Sequence, residues 1–224
     1  MPYKAIVWYM TAMLSPDEYQ AALAELAGRD ADLAAVLDAF GAPEIRPRPT
    51  GFATLVLLIL EQQVSLASAA ATFDRLTALV GDITPKRILA QSDDDLRSAG
   101  LSRQKARYVR ALGDRVFADG LDLDALNVLD DAEITARLTA VTGIGTWTAE
   151  VYLLTALQRP DVWPAKDLAL QVAAHEVKRL TSRPDEAELI ALGEQWRPFR
   201  TVAARILWHH YLNTTRKRGK FGDD

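Results

Sequence analysis

Apolar residues recur at helical spacing along almost the whole chain, and no stretch alternates apolar with polar residues for long enough to build a sheet. That one property confines the fold to packed helices. "SPDEYQAALAELAGRD" opens with Ser15 as a cap and Pro16 in the first turn, the ordinary grammar of a helix start. "TGFATLVLLILEQQVSLASAAATFDRLTALVGD" carries helical spacing from end to end. "DAEITARLTAV", "TWTAEVYLLTAL", "DLALQVAAHEVKRL", "PDEAELIALGEQW" and "FRTVAARILWHHYLNTT" follow the same rule, with Pro, Gly, Asp or Ser between them. The expected class is therefore all-α, with about ten to twelve short helices. Only "AIVWYM" near the N-terminus suits a strand.

With 224 residues, 49% of them hydrophobic, the chain can bury a substantial core as one large domain or two small ones. It contains no cysteine, which excludes a disulfide framework, a thiolate zinc site, a cysteine nucleophile and an iron–sulfur cluster. The apolar N-terminal stretch is short and runs into "SPDE" without a small-residue cleavage site, and no run reaches membrane-spanning length. The expectation is an intracellular protein with no membrane partner.

A formal charge of −4 is a poor match to a generic nucleic-acid binder, because counterion release rewards a basic surface. The charge is unevenly spread, however. "RSAGLSRQKARYVRALGDR" is opposed only by Asp114, and the stretch from Gln195 to Lys220 has no carboxylate. Such segments serve either as one positive face or as ordinary solvated helix surfaces. The proline-rich loops "APEIRPRPTG" and "QRPDVWPAKD" mark crossings between subdomains, and the tail "TTRKRGKFGDD" reads as a frayed end.

Two short motifs can carry chemistry. In "LTAVTGIGTWTAEVYLL", residues 138–154, a helix ends near Val141, a turn with Gly143 and Gly145 follows, and a new helix begins around Thr146. This is a helix–hairpin–helix pattern, in which the amides of Gly143, Gly145 and Thr146 at the positive helix end suit a phosphate. An ordinary corner between two helices needs the same glycines. Further on, Asp167 sits immediately before a helix, where an aspartate is usually only an N-cap; the same helix dipole also favours a carboxylate held for chemistry. Trp147, Tyr152 and Trp163 crowd the window between, either as core or as walls for a flat, electron-poor ring.

The ordered blocks "FATLVLLILEQQVSLASAA", "GLSRQKARYVRALG", "LTAVTGIGTWTAEVYLL", "DVWPAKDLAL" and "WRPFRTVAARILWHHY" resemble the 3-methyladenine DNA glycosylase II family of the helix–hairpin–helix glycosylases, over roughly residues 50–212. The resemblance implies two helical subdomains flanking a DNA- and base-binding cleft. One subdomain would comprise residues 1–50 with 160–224 and the other residues 51–159. It implies a monomer acting on double-stranded DNA that contains alkylated bases, with the lesion flipped out of the stack.

By the same resemblance, Asp167 takes the catalytic position, stabilising positive charge on the deoxyribose and orienting water. Trp147, Tyr152 and Trp163 would line the base pocket, Gln63 would be the wedge, and Arg103 and Lys105 would touch the DNA backbone. The carbonyls of Thr139, Val141 and Ile144 match positions that hold a monovalent cation; no other cofactor is implied. Relatives that also cut the strand carry a lysine where this chain has Trp147, so an intact abasic site is the expected product. Lys166 replaces a glycine expected before the aspartate and is an amine close to it. The same fold acting on an oxidised or deaminated base, or a non-catalytic binder of DNA structure, remains open at this level.

Overall fold

A computed structural model describes residues 14–214, and among these there are twelve α-helices, two short 3₁₀ turns and no strand. The N-terminal strand candidate "AIVWYM" and most of the charged tail lie outside the described residues. The chain divides into two compact units: residues 14–46 with 158–214, and residues 47–157. No helix among the described residues is long and apolar enough to cross a membrane.

In the first unit, α1 (Pro16–Arg29) starts with a reciprocal capping box between Ser15 and Glu18. Asp30 ends α1 and caps α2 (Ala31–Phe40), accepting from the Asp32 and Leu33 amides. The later helices are α10 (Leu168–Val177), α11 (Glu186–Gly193) and α12 (Arg200–Asn213). The apolar face of α12, with Val202, Ala203, Ile206 and Leu207, is buried as it packs on α10, α2 and α1. Asp30 is the polar centre of this unit: Lys178 Nζ lies 3.0 Å from Oδ1, and Trp196 Nε1 donates to Oδ2 at 2.8 Å. Burial pushes its carboxyl up, but Lys178, Trp196 and the Leu33 amide outweigh that effect and hold it below the usual aspartate value.

The second unit holds α3 (Phe52–Glu61), α4 (Leu66–Val80), α5 (Pro85–Leu89), α6 (Asp93–Ser98), α7 (Arg103–Phe117), α8 (Asp131–Thr139) and α9 (Thr146–Thr155). The unbroken helical spacing over "TGFATLVLLILEQQVSLASAAATFDRLTALVGD" is here two helices. Gln63 takes a left-handed conformation with φ 57°, and the Ser65 hydroxyl caps α4 by accepting from the Ser68 amide. The break lets α4 pack against α3, so both apolar faces are buried, which one continuous rod of that length would not achieve. It also leaves Gln63 exposed at the tip of the turn.

Candidate active site

In the second unit, the hairpin runs from the end of α8 through residues 140–145 into α9. Gly143 has φ 94°, and a Cβ there would lie 2.1 Å from the ring of Tyr108 on α7, so glycine is required twice over. Gly145 differs from the expectation that both glycines are needed for the turn. Its backbone is extended, and a Cβ would meet nothing within 4 Å. Its lack of a side chain leaves the outer side of the turn open for something else to approach. Gly145 is also the N-cap of α9 and offers no side-chain acceptor to the first-turn amides.

Three consecutive residues at the end of α3 face in three directions. Glu61 is buried against Arg48 in a two-pronged ion pair, with both nitrogen–oxygen distances at 2.9 Å. Gln62 turns to the hairpin, its Nε2 donating to the Gly143 carbonyl at 2.9 Å and to Thr148 Oγ1 at 3.0 Å. Gln63, the expected wedge, is exposed and flanked by the exposed apolar side chains Val64 and Leu66. Lys105, expected to touch the DNA backbone, donates one ammonium hydrogen to the Leu60 carbonyl at 2.6 Å, closing the C-terminal turn of α3, and burial lowers its pKa. Arg103 is exposed on α7 and lines a surface cavity of about 480 Å³ with Arg97, Arg107 and Arg110.

The carbonyls of Thr139, Val141 and Ile144 lie where α8 ends and the turn begins. Thr139 is the last residue of α8, where a carbonyl lacks an intrahelical partner and carries the negative end of the dipole, while Val141 and Ile144 belong to the turn itself. Val141 also accepts from the Ile144 amide at 3.0 Å, which leaves a second lone pair on that oxygen.

Trp147 stands in the first turn of α9 and is partly exposed. Tyr152, a turn further on, has no exposed surface; its hydroxyl accepts from the Gly51 amide at 2.8 Å, and burial raises its pKa. It is a core residue that ties the start of α3 to α9, not a pocket wall. Trp163 receives the same correction within the first unit. Its Nε1 donates to the Leu189 carbonyl at 2.8 Å, its ring meets Trp196 edge-on at 5.1 Å, and Gly193 has no room for a side chain because the indole fills it.

Asp167, in the first unit, caps α10 by accepting from the Leu170 amide on Oδ1 at 2.8 Å. The same oxygen accepts from Trp208 Nε1 at 3.0 Å. Sequence reasoning missed Trp208, which comes from α12, forty-one residues along the chain. The approach to Asp167 is clamped throughout. Thr201 Oγ1 donates to the Arg159 carbonyl and accepts from the Val162 amide, Arg200 holds Asp161 through both side chain and carbonyl, and Gln171 donates to the Ala165 carbonyl. Lys166 points to Glu186 at 3.5 Å, at the start of α11. The carboxylate is thus held by donors fixed in advance, and little reorganisation remains when charge develops nearby.

The chain matches, over residues 56–198, the family described as HhH-GPD superfamily base excision DNA repair protein. It is 29% identical over 158 residues to DNA-3-methyladenine glycosylase 1 of Schizosaccharomyces pombe, covering 69% of each chain. Among solved structures it is similar to the S. pombe 3-methyladenine DNA glycosylase Mag1 in complex with abasic DNA. The TM-score there is 0.78 at 27% identity, over 84% of this chain and 95% of that one. It is also similar to a DNA-3-methyladenine glycosidase from Bacillus halodurans, with a TM-score of 0.73 at 32% identity, over 91% of this chain and 92% of that one.

Proposed function

The chain belongs to the HhH-GPD superfamily of base excision DNA repair proteins, and on that footing we propose that it is a monofunctional DNA glycosylase removing alkylated purines of the 3-methyladenine and 7-methylguanine type from duplex DNA. The observation that carries this reading is the carboxylate of Asp167, pinned on Oδ1 by the Leu170 amide and the Trp208 indole at the N-terminus of α10.

A purine alkylated on a ring nitrogen is cationic. When its N-glycosidic bond breaks, the bonding electron pair leaves with the base, which departs neutral, and positive charge moves to the deoxyribose. Asp167 stabilises that charge and directs a water oxygen to C1′; the proton lost from the water passes to the carboxylate or to solvent. The leaving group needs no acid, so one carboxylate suffices. Trp147 offers an indole face to the flipped cationic base, worth about 0.5–2 kcal/mol. With tryptophan where a strand-cutting relative would need an amine, and with Lys166 engaged by Glu186, the product is an intact abasic site.

The amides at the uncapped start of α9 and the open side of Gly145 suit a DNA phosphate. The carbonyls of Thr139, Val141 and Ile144 would hold a monovalent cation that strengthens the same grip. Gln63 would fill the space left by the flipped nucleotide, and Arg103 would touch the flanking backbone. A chain with this activity works inside the cell, where genomic DNA lies.

The test is release of free base from methylated duplex DNA. The expected result is liberation of 3-methyladenine and 7-methylguanine without strand scission, abolished by Asp167→Asn with DNA binding retained. Excision of an oxidised or deaminated base only would replace the substrate class. Binding with no excision of any lesion would leave a DNA-structure binder.

A further inference from the structure

Gln63 holds a backbone conformation that a non-glycine residue adopts only where its surroundings over-determine it. On one side the end of α3 is closed by Lys105 on the Leu60 carbonyl, and on the other Ser65 starts α4. Neither of these bonds ties the turn to the element that grips DNA. Gln62 does, through one amide nitrogen that donates both to the Gly143 carbonyl in the left-handed step of the hairpin and to the buried Thr148 hydroxyl in α9. The Tyr108 ring occupies the space a side chain at Gly143 would need, so this step of the hairpin is closely packed.

We propose that Gln62 is a positioning residue that couples the wedge to the phosphate grip, so that Gln63 enters the duplex at a fixed register from the backbone held by the hairpin. This rests on the glycosylase reading for the role of Gln63, but it adds a residue and a step. The coupling acts on the exchange from a loosely bound duplex to one with a nucleotide extruded, and not on first contact with DNA. Two donor bonds from one nitrogen make the requirement specific. A carboxylate at position 62 supplies no donor and repels the Gly143 carbonyl, and an apolar isostere leaves the Thr148 hydroxyl without its donor.

The experiment uses the full chain with Gln62→Met, Thr148→Val, both together, and Thr148→Ser, which keeps an acceptor. Affinity is measured by fluorescence anisotropy for an undamaged duplex and for the same duplex carrying a stable abasic analogue, with 2-aminopurine beside the lesion reporting unstacking and thermal melting run in parallel. For Gln62→Met we expect undamaged-duplex affinity within about twofold of wild type, and preference for the abasic duplex reduced by about tenfold or more, with the 2-aminopurine rise lost. Thr148→Val should share a large part of that loss, the double variant should be no worse than the worse single one, and Thr148→Ser should behave as wild type. Unchanged abasic preference in Gln62→Met overturns the proposal. So does an equal weakening on both duplexes that tracks a lower melting temperature, since that marks a fold support alone. If wild type prefers the abasic duplex and Gln62→Met loses that preference, but no methylated base is ever released, the coupling stands and the glycosylase reading falls. A wild-type chain with no abasic preference overturns the coupling.

Discussion

Two helices of this protein begin at residues that matter, and they begin in opposite ways. Helix α9 starts at Gly145, which has no side chain to offer, so the positive end of the helix is left to whatever approaches from outside. Helix α10 starts at Asp167, which satisfies the Leu170 amide itself and is further held by Trp208. One helix start has no side-chain acceptor of its own, and the other is built around an anion that is already part of the chain. On the proposed function the same dipole physics would serve binding in one unit and catalysis in the other, with the residue at the N-cap deciding which.

The difference can be broken most severely at α10. Asp167→Asn keeps a cap acceptor for Leu170 and removes only the charge, so excision measured in single turnovers should fall by about 10²–10³ or more while duplex affinity holds within about threefold. At the α9 end, Gly143→Ala forces a side chain into a left-handed step and into the Tyr108 ring. Thermal or urea unfolding should show a loss of about 1–3 kcal/mol, together with weaker binding to any duplex. Trp208→Phe removes one donor from Asp167 and should lower the excision rate by about tenfold, with KM little changed because the residue acts through the carboxylate and not on DNA. Gly145→Ala sharpens the contrast: its Cβ meets nothing in the protein, so stability should stay within about 0.5 kcal/mol while duplex affinity drops. Equal losses of stability and affinity there would mean that the open side is not where DNA approaches.

Asp30 is a buried acceptor whose folded-state pKa is depressed, so its contribution to stability is fully present above the unfolded value of about 3.9 and is lost as pH falls through the lower folded value. Stability measured between neutral pH and about pH 3 should therefore show an acid-side decline that Asp30→Asn makes shallower.

Much of this was readable from sequence, and the division between what was and what was not has a physical basis. Local signals succeeded: Ser15 and Pro16 begin α1, the helix–turn–helix around Gly143 and Gly145 is present, and Asp167 is an N-cap. These depend on contacts within about four residues, which spacing encodes. The break between α3 and α4 was missed because apolar spacing continues across it; only the left-handed Gln63 and the Ser65 cap reveal it. Spacing alone suits Trp163 and Tyr152 either to the core or to a pocket, and only the resemblance implies pocket walls, because aromatics near a motif look alike whether they face a ligand or the core. What separates them is a hydrogen bond to a distant backbone group, Leu189 for one and Gly51 for the other. Gln62, Lys105 and Trp208 take their roles from partners far along the chain, and no local pattern points to any of them.

The open space at Gly145 has a practical use. Because the chain has no cysteine, Gly145→Cys would introduce a single thiol, at an exposed position where the added Cβ meets nothing within 4 Å. A duplex carrying a thiol tether on one phosphate could then be trapped as a disulfide at this turn alone. Moving the tether along the strand would map, nucleotide by nucleotide, which backbone position the hairpin faces, in a chain that needs no background thiols removed.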